Sequence, residues 1–171
     1  PTIDTPNTFG QYKAAAALLK SMREDNFNDQ IYLELFEKGE SLIDDEQEKG
    51  MSLIAEKLYS FMDEMHVKVR RLNNAEYLVM GLREIGIQPL LALDDEHVPL
   101  FIPVKLKNRD IVRQAMFKKE IFCPVHWPLD GMGIKRGEQM YREELSLIID
   151  QRYGRKEMDE IITVLKEFAN D

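Results

Sequence analysis

Thiol and heteroaromatic side chains are scarce in this chain of 171 residues, which has one cysteine, Cys123, one tryptophan, Trp127, and three histidines, His66, His97 and His126. A single thiol closes no internal disulfide, and no second cysteine accompanies the well-separated histidines, so zinc-finger spacings are absent. Basic charge is in deficit too: 23 Lys and Arg stand against 31 Asp and Glu, a formal charge of −8. Such a molecule repels nucleic acid and anionic membrane surfaces, and neither is expected as a partner. Nine glycines and seven prolines are too few for a collagenous or low-complexity chain. No apolar run approaches the roughly 20 residues of a membrane span. Pro1 to Phe9 do not place an apolar run behind a basic one, as a secretory signal would, and a cytoplasmic location is the expectation. The chain starts without methionine, which is compatible with a processed or domain-length piece.

Hydrophobic residues at 44% and charged residues at 32% describe a helix-rich globular protein long enough to bury a core. The first half has helical periodicity. The run Ala14-Ala15-Ala16-Ala17-Leu18-Leu19 predicts a helix from about Phe9 to Arg23. A second helix is expected after Asn28, with Ile31, Leu35 and Leu42 on one face and Gly39 and Gly50 where it weakens or stops. A third runs from about Ser52, an N-cap, through Phe61, and a fourth from about His66 to Ile85. On the fourth, Leu72, Ala75, Val79, Leu82 and Ile85 form one apolar stripe, and Gly86 supplies the stop.

Beyond Gly86 the period shortens. Gln88 to Leu93 and Val98 to Leu106 predict an antiparallel strand pair around the acidic turn Asp94-Asp95-Glu96, with Pro99 and Pro103 confining the second strand to an edge. Asn108 is expected to cap a helix from about Arg109 to Lys119 that turns Ile111, Val112, Ala115 and Met116 inward. Ile121 to Pro128 reads as a short strand entering a loop, followed by a short helix around Glu138 to Glu144 and a strand from Leu145 to Ile149. A last helix, about Arg155 to Phe168, buries Met158, Ile161, Leu165 and Phe168.

Several groups of residues could carry chemistry. Seven acids between Glu34 and Glu48 alternate with core positions along a helix, so they read as a solvated face rather than a convergent acid–base or metal site. Lys105, Lys107, Arg109, Arg113, Lys118 and Lys119 form a basic patch that either guides an anionic substrate or is an ordinary charged surface. Lys68, Arg70 and Arg71 read as surface. The string Cys123-Pro124-Val125-His126-Trp127-Pro128 concentrates the rarest side chains on a backbone stiffened by two prolines. It is either a binding loop or a loop whose Trp packs the core and whose His bonds a carbonyl. Cys123 has no matching histidine and acid pattern for a nucleophile. The glycines of Asp130 to Arg136 do not follow a strand and open a helix as phosphate-binding fingerprints do.

The order of elements, with the strings Tyr32-Leu33-Glu34-Leu35-Phe36 then Leu42-Ile43-Asp44, Pro99-Leu100-Phe101-Ile102-Pro103-Val104, Cys123 to Pro128, and Leu145-Ser146-Leu147 with Asp150-Gln151-Arg152-Tyr153, resembles the C-terminal region of fold type I pyridoxal phosphate enzymes. More narrowly, the chain is similar to the DegT/DnrJ-type sugar aminotransferases from about Tyr32 to its end. The resemblance implies an α+β fold of the aminotransferase small-domain type, with N-terminal helices followed by a small, mainly antiparallel sheet packed against helices. Residues 1–63 would be a helical segment and 64–171 the small domain, in one continuous unit. It further implies a transaminase that moves an amino group onto a nucleotide-linked keto sugar, with pyridoxal phosphate as cofactor of the complete enzyme.

In that family the cofactor lysine lies on the large domain, and no lysine here sits in the family's serine-and-lysine pattern. The chain would thus be inactive alone, its partners being the large catalytic domain, a second copy in a homodimer, and a small-molecule substrate. Carried over by position, His126 would hydrogen-bond a sugar or its phosphates beside the flat wall of Trp127, and Arg152 would hold the amino donor's carboxylate. The residue-level alternative for Arg152 is an ion pair with Asp150 or Asp159. Relatives usually carry proline where this chain has Ile148, which restores a strand donor. The competing reading of the whole chain is a non-catalytic binding or assembly module of the same fold.

Overall fold

The computed structural model describes residues 5–22, 28–46, 48–94, 97–126 and 135–168. In chain order these form α1 (Phe9–Ser21), α2 (Gln30–Ser41), a 3-10 turn (Asp44–Glu46), α3 (Leu53–Ser60), α4 (Glu64–Glu84), β1 (Phe101–Lys105), α5 (Arg109–Phe117), α6 (Lys135–Glu143), β2 (Glu144–Ile148) and α7 (Arg155–Phe168). The class is α+β. The chain divides into two compact units, Pro1–Met62 and Asp63–Asp171.

In the first unit α1 packs against α2 and α3. Gly39 does not end α2. It is buried inside the helix, where an added Cβ would lie 2.9 Å from Lys13 Cγ and 3.2 Å from the Phe9 carbonyl, so its small size sets how closely α1 and α2 approach. Ser52 caps α3, its hydroxyl accepting from Ala55 N at 3.3 Å. The acids of α2 and the following turn whose side chains are described are exposed, and among the described residues no three acid, His or Cys side chains converge as metal ligands.

The second unit holds the main core. Ala75, Leu78, Val79 and Leu82 of α4 meet Met158, Ile161, Val164 and Leu165 of α7, with Ile102, Val104, Leu145 and Leu147 of the sheet beneath them. Each fully buried leucine removes enough apolar surface from water to contribute about 2 kcal/mol. Asp63 caps α4 through His66 N at 2.9 Å. At the other end Gly86 takes φ +79° while Ile87 N donates to the Leu82 carbonyl and Gly86 N to that of Arg83, the double closure that a left-handed residue permits. No described helix is long and apolar enough to cross a membrane.

The sheet pairs differently from the sequence expectation. β1 runs antiparallel to β2, with Phe101 opposite Ile148, Pro103 opposite Ser146 and Lys105 opposite Glu144. The Gln88–Leu93 segment adds only a bridge, Pro89 to Val104, and a bond from Leu90 N to the Pro103 carbonyl at 2.8 Å. Neither Pro89 nor Pro103 has an amide donor, so no ladder can grow between them. The expected strand at 121–126 is likewise no strand; it offers the Pro124 carbonyl to Ser146 N at 3.1 Å. In α5 the buried residues are Arg109, Val112 and Met116, one face at spacings of three and four, and Ala115 packs against the core beside them, while Ile111 is left 61% exposed. Asn108 makes no side-chain cap; its carbonyl accepts from Ile111 N and Val112 N instead.

α5 ends as α4 does, with Ile121 N bonded to the Met116 carbonyl and Glu120 N to that of Phe117. Here, however, the left-handed position holds Glu120 at φ 60°. A Cβ is penalised in that conformation by about 1 kcal/mol. Glu120→Gly is therefore expected to raise the stability of this unit by up to about 1 kcal/mol, read as a higher urea midpoint; a lower midpoint would contradict this account.

Candidate functional site

Strand alternation builds the site. Ile102, Val104, Leu145 and Leu147 point into the core, so by the period of two their neighbours Phe101, Pro103, Glu144 and Ser146 share the opposite face. That face floors a cavity of about 460 Å³, walled by His126 and by Tyr141 of α6, with Leu91 and Met140 also lining it. All of these residues belong to the second unit.

Three polar side chains are chained together within it. The Ser146 hydroxyl lies 2.5 Å from Glu144 Oε1, and His126 Nδ1 lies 3.0 Å from Ser146 Oγ. A carboxylate only accepts, so the hydroxyl donates to Glu144 and accepts from His126, which makes Nδ1 the donor of that contact. The His126 amide also reaches Glu144 Oε2, at 3.4 Å, and the Phe101 ring lies 4.8 Å from the imidazole, tilted by 50°. His126 is thus held by a hydroxyl, a ring and its own backbone, the fixed placement a binding residue needs.

The base of this constellation is tied down by Arg109. Its Nη1 donates to the Glu144 carbonyl at 3.3 Å, its guanidinium lies 5.6 Å from the Tyr141 ring centroid, and the residue is only 6% exposed. Nε sits 2.8 Å from Asp110 Oδ1 without hydrogen-bond alignment, so that contact is an ion pair alone. The basic patch disperses in the same way. Arg113 Nε donates to the Cys123 carbonyl at 3.3 Å, and Lys105, opposite Glu144 in the ladder, places Nζ 2.9 Å from Glu143 Oε2. That lysine holds the Glu143 carboxyl below its ordinary value.

Arg152 stands elsewhere. Its Nε and Nη2 grip Asp150 at 3.0 and 2.7 Å, and its side chain is 71% exposed. The residue does not line the cavity. Trp127 lies outside the described residues, as do most of the glycine loop's positions. Arg70 and Arg71 serve structure, bonding the Tyr153 carbonyl at 2.8 Å and Gln151 Oε1 at 2.9 Å. Burial pushes the Cys123 thiol up to about 11, partly offset by the Ile148 amide, so it remains protonated at neutral pH and is a poor nucleophile. Native protein is expected to resist a thiol reagent at mildly alkaline pH and to react fully once denatured; rapid native reaction would refute this.

Glu144 and Ser146 were missed as site residues in the sequence. The strand begins one residue earlier than the pattern indicates, which moves Glu144 from a helix end to the first position of β2. The alternating face of β2 was the available signal.

No protein-family model matches the sequence, and no curated protein does. Among solved structures the fold is similar to "Putative sugar aminotransferase Spr1654 from Streptococcus pneumoniae, PMP-form", with a TM-score of 0.53 at 15% identity over 92% of this chain. The fold is aminotransferase-like. The chain spans 41% of that neighbour's length.

A pyridoxal phosphate site needs a lysine within bonding reach of the cofactor and donors or cations around its phosphate. The described lining residues of the cavity include no lysine and no arginine, and they present a carboxylate instead. These residues do not fit the cofactor.

Proposed function

We propose that this chain is the C-terminal small domain of a pyridoxal phosphate-dependent aminotransferase of the DegT/DnrJ type, acting on a nucleotide-linked keto sugar and dimeric when complete. The observation that carries the reading is the aminotransferase-like fold, matched over 92% of the chain, with His126 of the substrate-side string in the wall of a built cavity. Cofactor chemistry, the labilising of bonds at the amino-bearing carbon, would be supplied by a separate lysine-bearing domain. This chain would contribute substrate contacts: His126 and Trp127 on the sugar side, and Arg152 toward the amino donor. The Nε–Nη2 edge of Arg152 is occupied by Asp150, while its Nη1 makes none of those bonds and can meet a second carboxylate.

The test is to express the chain together with the coding sequence upstream of Pro1 in its gene and to assay amino transfer from glutamate to nucleotide-linked keto sugars. Activity is expected from the joint product. The chain alone should be inactive, and its mixture with pyridoxal phosphate should show no stable imine band that depends on one specific lysine. An upstream sequence encoding no lysine-bearing domain, or an inactive joint product, would reject this reading in favour of a non-catalytic module. A new absorbance band abolished by mutating one lysine of this chain would refute the assignment of the cofactor lysine to the other domain.

A further inference from the structure

We infer that the cavity between Phe101, Tyr141 and Glu144 is a site for a hydroxyl-rich ring that bears no anionic group, and that Glu144 is the residue that makes it refuse phosphate and carboxylate groups. This deepens the function proposed above, on which it rests for taking the ring to be a sugar.

The argument starts from charge. Among the described residues lining the cavity, the only formal charge is the Glu144 carboxylate, and Glu144 is 9% exposed. In so desolvated a place a carboxylate repels an incoming anion far more strongly than it would in water. The two described cations nearest to it in the fold are committed elsewhere: Arg109 is buried, with its ion-pair partner in Asp110, and Lys105 turns to Glu143. Neither lines the cavity.

The polar groups define what is accepted. Glu144 takes one strong bond, from Ser146, and one long contact, from the His126 amide, while a carboxylate has about four lone-pair positions. Capacity therefore remains for donors from a ligand. Hydroxyl groups are such donors, and they bring no charge that the site must neutralise. The walls supply the other half of the match, because Phe101, Tyr141, Pro103 and Met140 are apolar faces suited to the C–H surface of a ring that carries hydroxyls at its edge.

Proton–nitrogen NMR titration of the whole chain tests this, following the amides of Phe101 to Lys105 and Glu144 to Ile148 and that of His126. A panel of neutral methyl hexosides is the first probe; glucose 1-phosphate and inorganic phosphate are the others. At least one neutral hexoside is expected to give saturable shifts at these amides in the millimolar range, with the phosphates at least about tenfold weaker. Glu144→Gln, which keeps the shape and removes the charge, should weaken the neutral hexoside about tenfold, as losing a charge-assisted bond does, and should narrow its advantage over phosphate. Ser146→Ala is the second variant, used if Glu144→Gln fails to fold, and should weaken the hexoside by releasing Glu144 and His126.

The inference is overturned if the phosphates shift these amides at concentrations equal to or below those of every hexoside. It is equally overturned if no hexoside saturates by tens of millimolar, if folded Glu144→Gln leaves the selectivity unchanged, or, where Ser146→Ala is the folded variant, if the hexoside affinity is unchanged. Hexoside binding together with an inactive joint product would reject the aminotransferase reading and keep this site. Amino transfer without these shifts would do the reverse.

Discussion

Replacing Asn74 by alanine is expected to lower the unfolding free energy of the Asp63–Asp171 unit by about 2 to 3 kcal/mol. Asn74 is 4% exposed on α4, and its Nδ2 lies 3.2, 3.1 and 3.1 Å from the carbonyls of Ile149, Asp150 and Tyr153. One amide thereby fastens the whole turn between β2 and α7 to the central helix. Alanine would leave these acceptors facing a space made for a polar group, and the desolvation of unpaired carbonyls is what makes the loss large. Urea denaturation of the variant should show a lower midpoint with an unchanged slope. A loss below about 0.5 kcal/mol would mean that Arg70, which shares the Tyr153 carbonyl, holds the turn sufficiently by itself. The double variant Asn74→Ala, Arg70→Ala would then separate the two contributions.

Under the function proposed above, Arg152→Ala in the complete enzyme is expected to lower kcat/KM for the amino-donor half-reaction by about one to two orders of magnitude, the value of a charged contact to a carboxylate. His126→Ala should act on the sugar half-reaction instead. The stability effect of Arg152→Ala should be small, about 0.5 kcal/mol, because an ion pair this exposed is screened by solvent. Its pH dependence has a definite sign. The side-chain hydrogen bonds from Arg152 are the first cause holding the Asp150 carboxyl below its ordinary value of 3.8. The pair therefore adds stability above the unfolded carboxyl's pKa and loses it as pH falls through the lowered folded value. Arg152→Ala should flatten that acid-side loss. Near-normal half-reaction rates with only the flattened acid limb would assign Arg152 to the turn rather than to substrate, and Asp150→Asn, which frees the guanidinium, serves as the control.

The amino-acid pattern alone determined α1, α4 and α7 and the stop of α4. Alanine propensity set α1, the stripe from Ala75 to Ile85 set the buried face of α4, and Met158, Ile161 and Leu165 did the same for α7, because a period of 3.6 is a local property that tertiary contacts only complete. Gly86 ended α4 for an equally local reason, its freedom to adopt positive φ. Pairing was different. β1 chose β2, about 40 residues away in sequence, over the nearer Gln88–Leu93 segment, since prolines at 89 and 103 removed the donors a local hairpin needed. Partner choice depends on which distant edge still offers donors, and no window of sequence contains that.

The site divides along the same line. His126 stood out by rarity and by the two prolines around it, and it lines the cavity. Asn74 looked no different from its neighbour Asn73, which is exposed, because burial depends on what the turn after β2 lays against the helix. Glu144 and Ser146 acquired a common role only when β2 presented alternate side chains to one face and the chain from Pro124 to His126 came to lie beside them, bonded through the Pro124 carbonyl. Convergence of polar groups is a property of the folded surface, where residues 18 to 20 positions apart meet within hydrogen-bond distance.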